Sequence, residues 1–174
     1  TLPAHTTMMT GIPSIQHQIV EDSLSIDTNT TLLAEGFEKA GYDTAGFVSA
    51  TFVSRLYGFD RGFNEFKDYD LHTNKHNLNA SIDATQLVDD ALAWRKKTGH
   101  SNPKFLFLHF YDAHYEYAPP APHNTLFDRA KSKADVKYKN YFYHLKNPLS
   151  ENEMAHQIAQ YLSLIHISEP TRLH

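Results

Sequence analysis

The alternation of hydrophobic and polar residues predicts two successive helix–strand steps. In the first step, Leu33, Phe37 and Ala40 fall on one face of a helix over residues 31–40, which stops before Gly41. The apolar run at residues 44–48 then predicts a short buried strand. The first step is therefore a helix followed directly by a strand.

The second step contains a longer helix, between Ser81 and Lys97. Its apolar residues recur at the i, i+3, i+4, i+7, i+8 spacing of one helical face, and they are Ala84, Leu87, Val88, Ala91 and Leu92. Gly99 ends this helix, and the apolar run Phe105–Phe110 predicts a strand that is buried on both faces. Two such steps favour an α/β layered fold with a mostly parallel sheet.

Helices are also predicted near both ends of the chain. Pro3 suits the first turn of a helix and Gly11 suits its end. Near the C-terminus, Ser150 and Glu153 have the spacing of a capping box. The apolar stripe predicted along this last helix consists of Met154, Ile158 and Tyr161.

Composition narrows the possible classes of protein. A length of 174 residues with 41% hydrophobic residues is sufficient for one domain with a core. The formal charge of −4 provides no basic surface for nucleic acid, so no nucleic-acid partner is expected. No run approaches the roughly 18 apolar residues of a membrane span. Cysteine is absent, which excludes disulfides and cysteine-based zinc sites within this sequence but leaves the compartment open.

The first residue, Thr1, is a candidate nucleophile. It stands directly before the predicted helix, where unpaired backbone N–H groups favour an anionic group. A hydroxyl in this position suits phosphoryl or sulfuryl transfer. The same arrangement of residues is also an ordinary helix cap in proteins with no catalytic role.

The opening segment resembles the nucleophile motif of the sulfatase-like family, a branch of the alkaline phosphatase superfamily. That motif is written Cys/Ser-x-Pro-x-Arg and is followed by a helix and Thr-Gly. The two align without gaps, so that Thr1 takes the nucleophile position, His5 that of the arginine and Thr10-Gly11 that of the Thr-Gly. The resemblance implies that Thr1 attacks the ester and that His5 contacts the substrate.

Three later segments are similar to the family in the same order. Gly41-Tyr42-Asp43-Thr44 resembles the second family signature, and residues 58–63 resemble the Gly-Phe-Asp motif that follows it. The apolar strand and the residues after it resemble the family's strand and Asp-Pro-His, which places His114 at the active-site histidine, two residues after Asp112. An isolated Asp-x-His would be more typical of a loop histidine bonded to a neighbouring carbonyl.

The sequence departs from the family at charged positions. Ser49 stands where the family has a substrate-binding lysine, and His5 replaces the arginine, so two fixed cations that stabilise an anionic transition state are missing. Threonine cannot be converted to the formylglycine of sulfatases, whereas related phosphodiesterases and phosphotransferases use an unmodified, metal-activated threonine. The resemblance is therefore to an atypical subgroup, with His5 and Ser49 as secondary substrate contacts by position.

The resemblance implies a metal-dependent hydrolase of sulfate or phosphate esters. A divalent cation (Ca, Zn, Mg or Mn) would bind Thr1 and residues outside this chain, and His114 would contact the ester or protonate the leaving oxygen. The substrate would be a small-molecule, lipid or glycan ester, and the location extracytoplasmic or periplasmic. The alternatives are a phosphotransferase of the same superfamily that acts on a lipid or glycan head group, and a catalytically dead binding module.

The resemblance also implies an incomplete domain. Residues 1–161 would form part of one α/β/α sandwich of the alkaline phosphatase-like type, with residues 118–147 as an insertion or lid, and this segment alone would be inactive. Residues 162–174 resemble a translated sequencing adapter, and we expect them to lie outside the native domain.

Overall fold

A computed structural model describes residues 1–69, 84–114, 117–128 and 146–168, and the chain divides into two compact units, residues 1–111 and 112–174. The helices of the first unit are α1 (Leu2–Thr10), α2 (Ser14–His17), α3 (Leu33–Lys39) and α4 (Ala84–Thr98). Its strands are β1 (Asp43–Val48), β2 (Glu65–Lys67) and β3 (Lys104–His109), and short 3-10 turns lie at Thr51–Val53 and Arg55–Tyr57. In the second unit, a 3-10 turn at His123–Thr125 precedes α5 (Glu151–Ser168).

The three strands form one parallel sheet in the order β2-β1-β3. Ala45 in the central strand lies opposite Glu65 on one side and Leu106 on the other, and Val48 lies opposite His109. The predicted α/β class with a parallel sheet is confirmed. Strand β2 was not predicted, because three half-buried residues are too few to show a period.

Helices cover both faces of the sheet. Ala45 and Phe47 of β1 pack with Leu87 and Trp94 of α4. Val48, whose side chain points the opposite way along the strand, belongs to a second cluster that includes residues of α1. This arrangement is the predicted α/β/α sandwich.

The face of α3 that packs into the core differs from the predicted one. Leu33 is 44% exposed and Ala40 is also exposed, whereas Leu32 and Ala34 are buried. Phe37 of the predicted face does pack inward, and its ring is stacked on Phe105. The helix spans only seven residues, so its core contact is set mainly by its first turn.

The buried face of α4 is also shifted from the predicted one. Val88 and Leu92 are 38% and 55% exposed, whereas Leu87, Ala91 and Trp94 are buried. The predicted apolar stripe was wide enough to contain two overlapping faces. The face that carries the large indole ring of Trp94 is the one that packs on β1.

Thr44 joins the two middle motifs of the sequence. Its buried hydroxyl donates to the carbonyl of Gly62 across 2.8 Å and accepts the backbone N–H of Asn64 at 2.9 Å. Gly62 has φ of +79°, and a Cβ there would clash with the backbone of Ala34 and Glu35. The motifs at 41–44 and 58–63 therefore hold α3 against the sheet.

Arg61 fixes the loop that precedes α3. Its guanidinium donates to the carbonyls of Thr28 and Thr30, both at 3.0 Å, and to that of Asp27 at 3.3 Å. The planar fork of arginine suits this arrangement, because several N–H groups point in fixed directions at once. Arg61 is thus a structural residue of the 58–63 motif.

Aromatic rings form a continuous stack through the first unit. Phe37 stacks on Phe105 with ring centroids 4.3 Å apart, and Phe105 stacks on Phe63 at 5.8 Å. Phe63 also contacts Phe107 at 6.4 Å, and Phe107 meets His5 edge-on at 6.4 Å. The stack therefore runs from α3, across β3, to a predicted site residue.

In the second unit, α5 begins with the predicted capping box. The backbone N–H of Ser150 donates to Glu153 Oε2 at 2.8 Å, and the N–H of Glu153 donates back to Ser150 Oγ at 3.4 Å. The hydroxyl of Ser150 also donates to Glu153 Oε2 at 2.6 Å. These reciprocal bonds satisfy N–H groups that the first helical turn leaves unpaired.

The predicted apolar stripe of α5 is not its buried face. Met154, Ile158 and Tyr161 are 40–51% exposed, whereas Ala159, Gln160, Ser163 and Leu164 are buried. The buried face packs against the turn at His123–Thr125, where Gln160 donates to the carbonyl of Asn124 at 3.0 Å. Helix α5 continues through residues 162–168, and their assignment to an adapter stays a prediction.

The proposed insertion or lid at 118–147 is described only in part. Residues 118–128 include the 3-10 turn against α5, and Asp128 lies 2.9 Å from His156 Nδ1. Residues 129–145, which carry most of the basic and aromatic side chains of this segment, lie outside the described residues. The insertion or lid is therefore still a prediction.

Candidate functional site at the start of helix α1

Thr1 stands at the N-terminus of α1, as the sequence predicts. It is the residue that precedes the first helical turn, Pro3 lies in that turn, and the helix ends at Gly11 with φ of +71°. The side chain of Thr1 makes no capping hydrogen bond and is exposed. The alternative interpretation of Thr1 as an ordinary side-chain cap therefore has no support in this geometry.

A cavity of about 270 Å³ opens beside Thr1. Its lining combines apolar residues with two carboxylates and consists of Thr1, Leu2, Pro3, Val20, Glu21, Asp22 and Phe52. Since Glu21 and Asp22 are the only charged side chains in this lining, an anionic ester bound here needs positive charge from another source. That source would be a metal ion or a protonated histidine.

His5 lies one helical turn after Thr1 and contacts it directly. The Nδ1 atom of His5 lies 2.9 Å from the carbonyl oxygen of Thr1. Because a carbonyl oxygen only accepts hydrogen bonds, Nδ1 carries the hydrogen, and the Nε2 atom of the neutral ring is an acceptor. His5 must therefore be protonated before Nε2 can donate to an anionic oxygen.

His109, which the sequence analysis did not single out, lies beside His5. The two imidazole rings are 4.9 Å apart between centroids, at an interplanar angle of 70°. His109 is the last residue of β3, at the carboxyl end of a parallel strand, where ligands bind in open α/β sheets. Its position at the end of a predicted strand could have indicated a site residue. It was not predicted as one because it lies within an apolar run.

Ser49 follows β1 and is attached to the same strand end. Its hydroxyl donates to the carbonyl of His109 at 2.7 Å, and its backbone N–H donates to the same oxygen at 3.1 Å. The side chain is fully buried. The structure thus connects Ser49 to His109, His109 to His5 and His5 to Thr1, while the role of Ser49 as a substrate contact stays untested.

His114 belongs to the second unit. It lies in the turn that follows β3 in the chain and is half-buried, and Asp112 in the same turn is exposed. Both residues come after the carboxyl end of the strand, as the sequence predicts. The role of His114 beside Thr1 stays a prediction.

A larger cavity, of about 520 Å³, lies at the end of β2. Its charged side chains pair with each other: Arg55 Nε lies 3.0 Å from Asp68, and Lys67 Nζ lies 3.0 Å from Asp90. The Tyr69 hydroxyl also donates to Asp90, at 2.9 Å. Because each cation here faces a carboxylate, this cavity offers no net positive charge to an anionic ester.

Among the described residues, no group of three or more His, Cys, Asp or Glu side chains could hold a metal ion. Thr1, Glu21 and Asp22 provide three oxygen-bearing side chains around one cavity, but they do not form such a group.

No described helix has both the length and the apolar composition needed to cross a bilayer.

Solved structures with a similar fold are phosphonate monoester hydrolases. That of Agrobacterium radiobacter superposes with a TM-score of 0.64 at 14% identity, covering 94% of this chain and 46% of the hydrolase. The phosphonate monoester hydrolase SpPMH from Silicibacter pomeroyi gives 0.61 at 17% identity, covering 97% and 48%. This chain thus spans just under half the length of either enzyme.

Sequence comparison gives the family. No curated protein matches significantly. The model of the family described as Sulfatase matches residues 1–168, which include Thr1, both middle motifs and α5. The chain therefore belongs to the sulfatase family.

Proposed function

We propose that the protein containing this chain hydrolyses sulfate or phosphate esters and that Thr1 is its nucleophile. The observation that carries the proposal is the hydroxyl of Thr1, which stands at the start of α1, makes no capping bond and lines a cavity. Family membership and a fold shared with phosphonate monoester hydrolases support the same reaction class.

In the proposed reaction, the Thr1 oxygen attacks the central phosphorus or sulfur atom. The hydroxyl of Thr1 loses its proton to solvent as the new bond to Thr1 forms. The bond to the leaving oxygen breaks, and His114 protonates that oxygen. The backbone N–H groups at the start of α1 would stabilise negative charge on the transferred group. Water then cleaves the bond to Thr1 and releases sulfate or phosphate.

His5 has a defined part in this scheme. Its Nδ1–H is held by the Thr1 carbonyl, so the opposite nitrogen is the atom available to the substrate. In its protonated form His5 would supply the positive charge that the arginine at this position provides in the family. Ser49 would act on the reaction through the position of His109, to which its hydroxyl is bonded.

A divalent cation is the second part of the proposal. It would supply positive charge that neutralises the oxygens of the ester and activates the threonine hydroxyl. Thr1 is the ligand that we assign among the described residues, which do not form a complete metal site on their own. The carboxylates of Glu21 and Asp22 keep the cavity electrostatically favourable for a cation.

Hydrolysis by the full-length protein tests the proposal. Aryl phosphate, aryl phosphonate and aryl sulfate esters would be assayed with Thr1→Ala and with Thr31→Ala, an exposed threonine outside the cavity, as the control. We expect Thr1→Ala to lower kcat/KM by about 1,000-fold or more, and the control to leave it unchanged. Activity that survives Thr1→Ala would remove Thr1 from the mechanism, and a wild-type protein inert toward all three esters would favour the binding module.

Chelation tests the metal. Treatment with EDTA should abolish hydrolysis, and adding back Ca, Mg, Mn or Zn one at a time should restore it with the native ion. Full activity in the chelated protein would contradict the metal-dependent mechanism. It would not decide whether Thr1 is the nucleophile, which the Thr1→Ala assay tests.

A further inference from the structure

His109 connects the end of the sheet to the helix of the proposed nucleophile. Its carbonyl accepts two hydrogen bonds from Ser49, at 2.7 and 3.1 Å, so the backbone at the end of β3 is tied to the end of β1. Its side chain lies against the ring of His5. The position of His109 is therefore fixed by the sheet, and its ring provides a fixed contact for His5 of α1.

His5 needs a second contact to have one orientation. The hydrogen bond from Nδ1 to the Thr1 carbonyl fixes one ring atom, but a half-buried imidazole on a helix can still turn about its side-chain torsions. The ring of His109, at 4.9 Å and 70°, limits this motion from the side. Phe107 adds a more distant edge contact at 6.4 Å.

We propose that His109 is a positioning residue that holds the His5 imidazole, by ring packing, in the orientation that bonds Nδ1 to the Thr1 carbonyl and leaves Nε2 for the substrate. The inference rests on the proposed function, in which His5 contacts the ester. It assigns a role to the last residue of β3, and it gives a reason for the hydrogen bonds that tie the buried Ser49 to this strand end.

Ring packing is the physical basis of this role. Edge-to-face aromatic contacts are favourable because the positive edge of one ring meets the negative face of the other. The contact therefore depends on a flat ring at position 109 more than on its nitrogen atoms. Phenylalanine should replace His109 in this function, and alanine should not.

The first experiment measures the tautomer of His5 in the full-length protein by ¹⁵N NMR of the imidazole nitrogens. In the wild type, the Nδ1–H form should dominate at a pH where the ring is neutral, and His109→Phe should preserve it. His109→Ala should give a mixture of the two neutral tautomers. His100→Ala, which removes an exposed histidine after α4, is the matched control and should leave the His5 signals unchanged.

The tautomer separates a positioning role from a general structural one. If His109→Ala lowers thermal stability but leaves His5 entirely in the Nδ1–H form, the proposal is wrong. A mixed tautomer in His109→Phe as well as in His109→Ala would overturn ring packing as the basis. Neither result depends on whether the protein hydrolyses esters.

The second experiment measures hydrolysis by the full-length protein. His109→Ala should lower kcat by roughly 10- to 100-fold with little change in KM, because a misplaced contact costs most in the transition state. His109→Phe should keep most of the wild-type kcat. Equal losses in both variants would overturn the proposal, whereas a wild-type protein with no activity would refute the proposed function and leave the NMR test in force.

Discussion

The hydroxyl of Thr44 donates to the carbonyl of Gly62 across 2.8 Å and joins two segments of the chain that resemble separate family motifs. The same oxygen accepts the N–H of Asn64. The side chain of Thr44 is fully buried, so its hydroxyl depends on these partners within the protein. The two motifs are therefore one structural unit that positions α3 beside the sheet.

Thr44→Val should destabilise the protein by about 1–3 kcal/mol, because it keeps the side-chain shape but leaves the carbonyl of Gly62 without the hydroxyl that donates to it. Urea unfolding monitored by circular dichroism measures the change. Thr31→Val, at an exposed threonine, is the matched control and should have no effect. Equal midpoints for Thr44→Val and wild type would show that the hydroxyl does not hold the motifs together.

Gly62→Ala should be more harmful, with a loss of more than about 3 kcal/mol or a failure to fold. The residue has φ of +79°, and an added methyl group would clash with the backbone of Ala34 and Glu35. Gly36→Ala is the opposite control, since a Cβ there meets no atom within 4 Å and lies inside α3. It should stabilise the protein by up to about 1 kcal/mol, and thermal melts of the two variants test both expectations.

The pairing at Asp90 predicts a pH-dependent stability. Partial burial raises the pKa of Asp90, but hydrogen bonds from Lys67 and Tyr69 outweigh burial and hold that pKa below its usual value. The resulting stability is complete above roughly pH 4, where the unfolded carboxyl is charged, and is lost as the pH falls through the folded pKa. Burial and the bond to Asp90 raise the pKa of Tyr69, so that contribution holds below roughly pH 10 and is lost as the pH rises.

Asp90→Asn should therefore lower the urea midpoint most between these two limits. Its difference from wild type should shrink in acid and again in strong alkali. The comparison needs midpoints over the whole pH range, with the exposed Asp89→Asn as the control. A difference that stays constant with pH would mean that the charge of Asp90 is not the cause.

Ser150→Ala should weaken the start of α5 by about 1 kcal/mol, because it removes the oxygen that accepts the N–H of Glu153. Hydrogen exchange of the first-turn amides measures this loss directly. Thr125→Ala, an exposed residue of the same unit, provides the control. Unchanged exchange at residues 151–154 would contradict a working capping box.

Local signals predicted both ends of α1 and the start of α5. Thr1, Pro3 and Gly11 define α1, and Ser150 and Glu153 define the start of α5, because caps depend on residues that are close in sequence. The predicted buried faces of α3 and α5 were wrong, and that of α4 was shifted. Burial depends on which neighbour packs against a helix, and several apolar stripes on one helix are equivalent until that neighbour is known.

In the candidate site, too, contacts between residues close in sequence were predictable and contacts between distant residues were not. The pairing of His5 with Thr1 follows from helical spacing, since residues four apart lie on one face. The pairing of His5 with His109 requires knowing that β3 lies beside β1 and that Val48 is opposite His109. This strand register cannot be predicted from a single sequence, so the sequence did not indicate that His109 is a site residue.

The ring of Phe63 touches Phe66, Phe105 and Phe107, and through Phe107 the stack reaches His5. Replacing Phe63 by a smaller residue would leave a cavity, and the neighbouring rings would tilt to fill it. His5, at the other end of the stack, would then move with these rings, although its own hydrogen bond to Thr1 had not been removed. Anyone who redesigns the hydrophobic interior at this position is therefore also adjusting the geometry around the threonine.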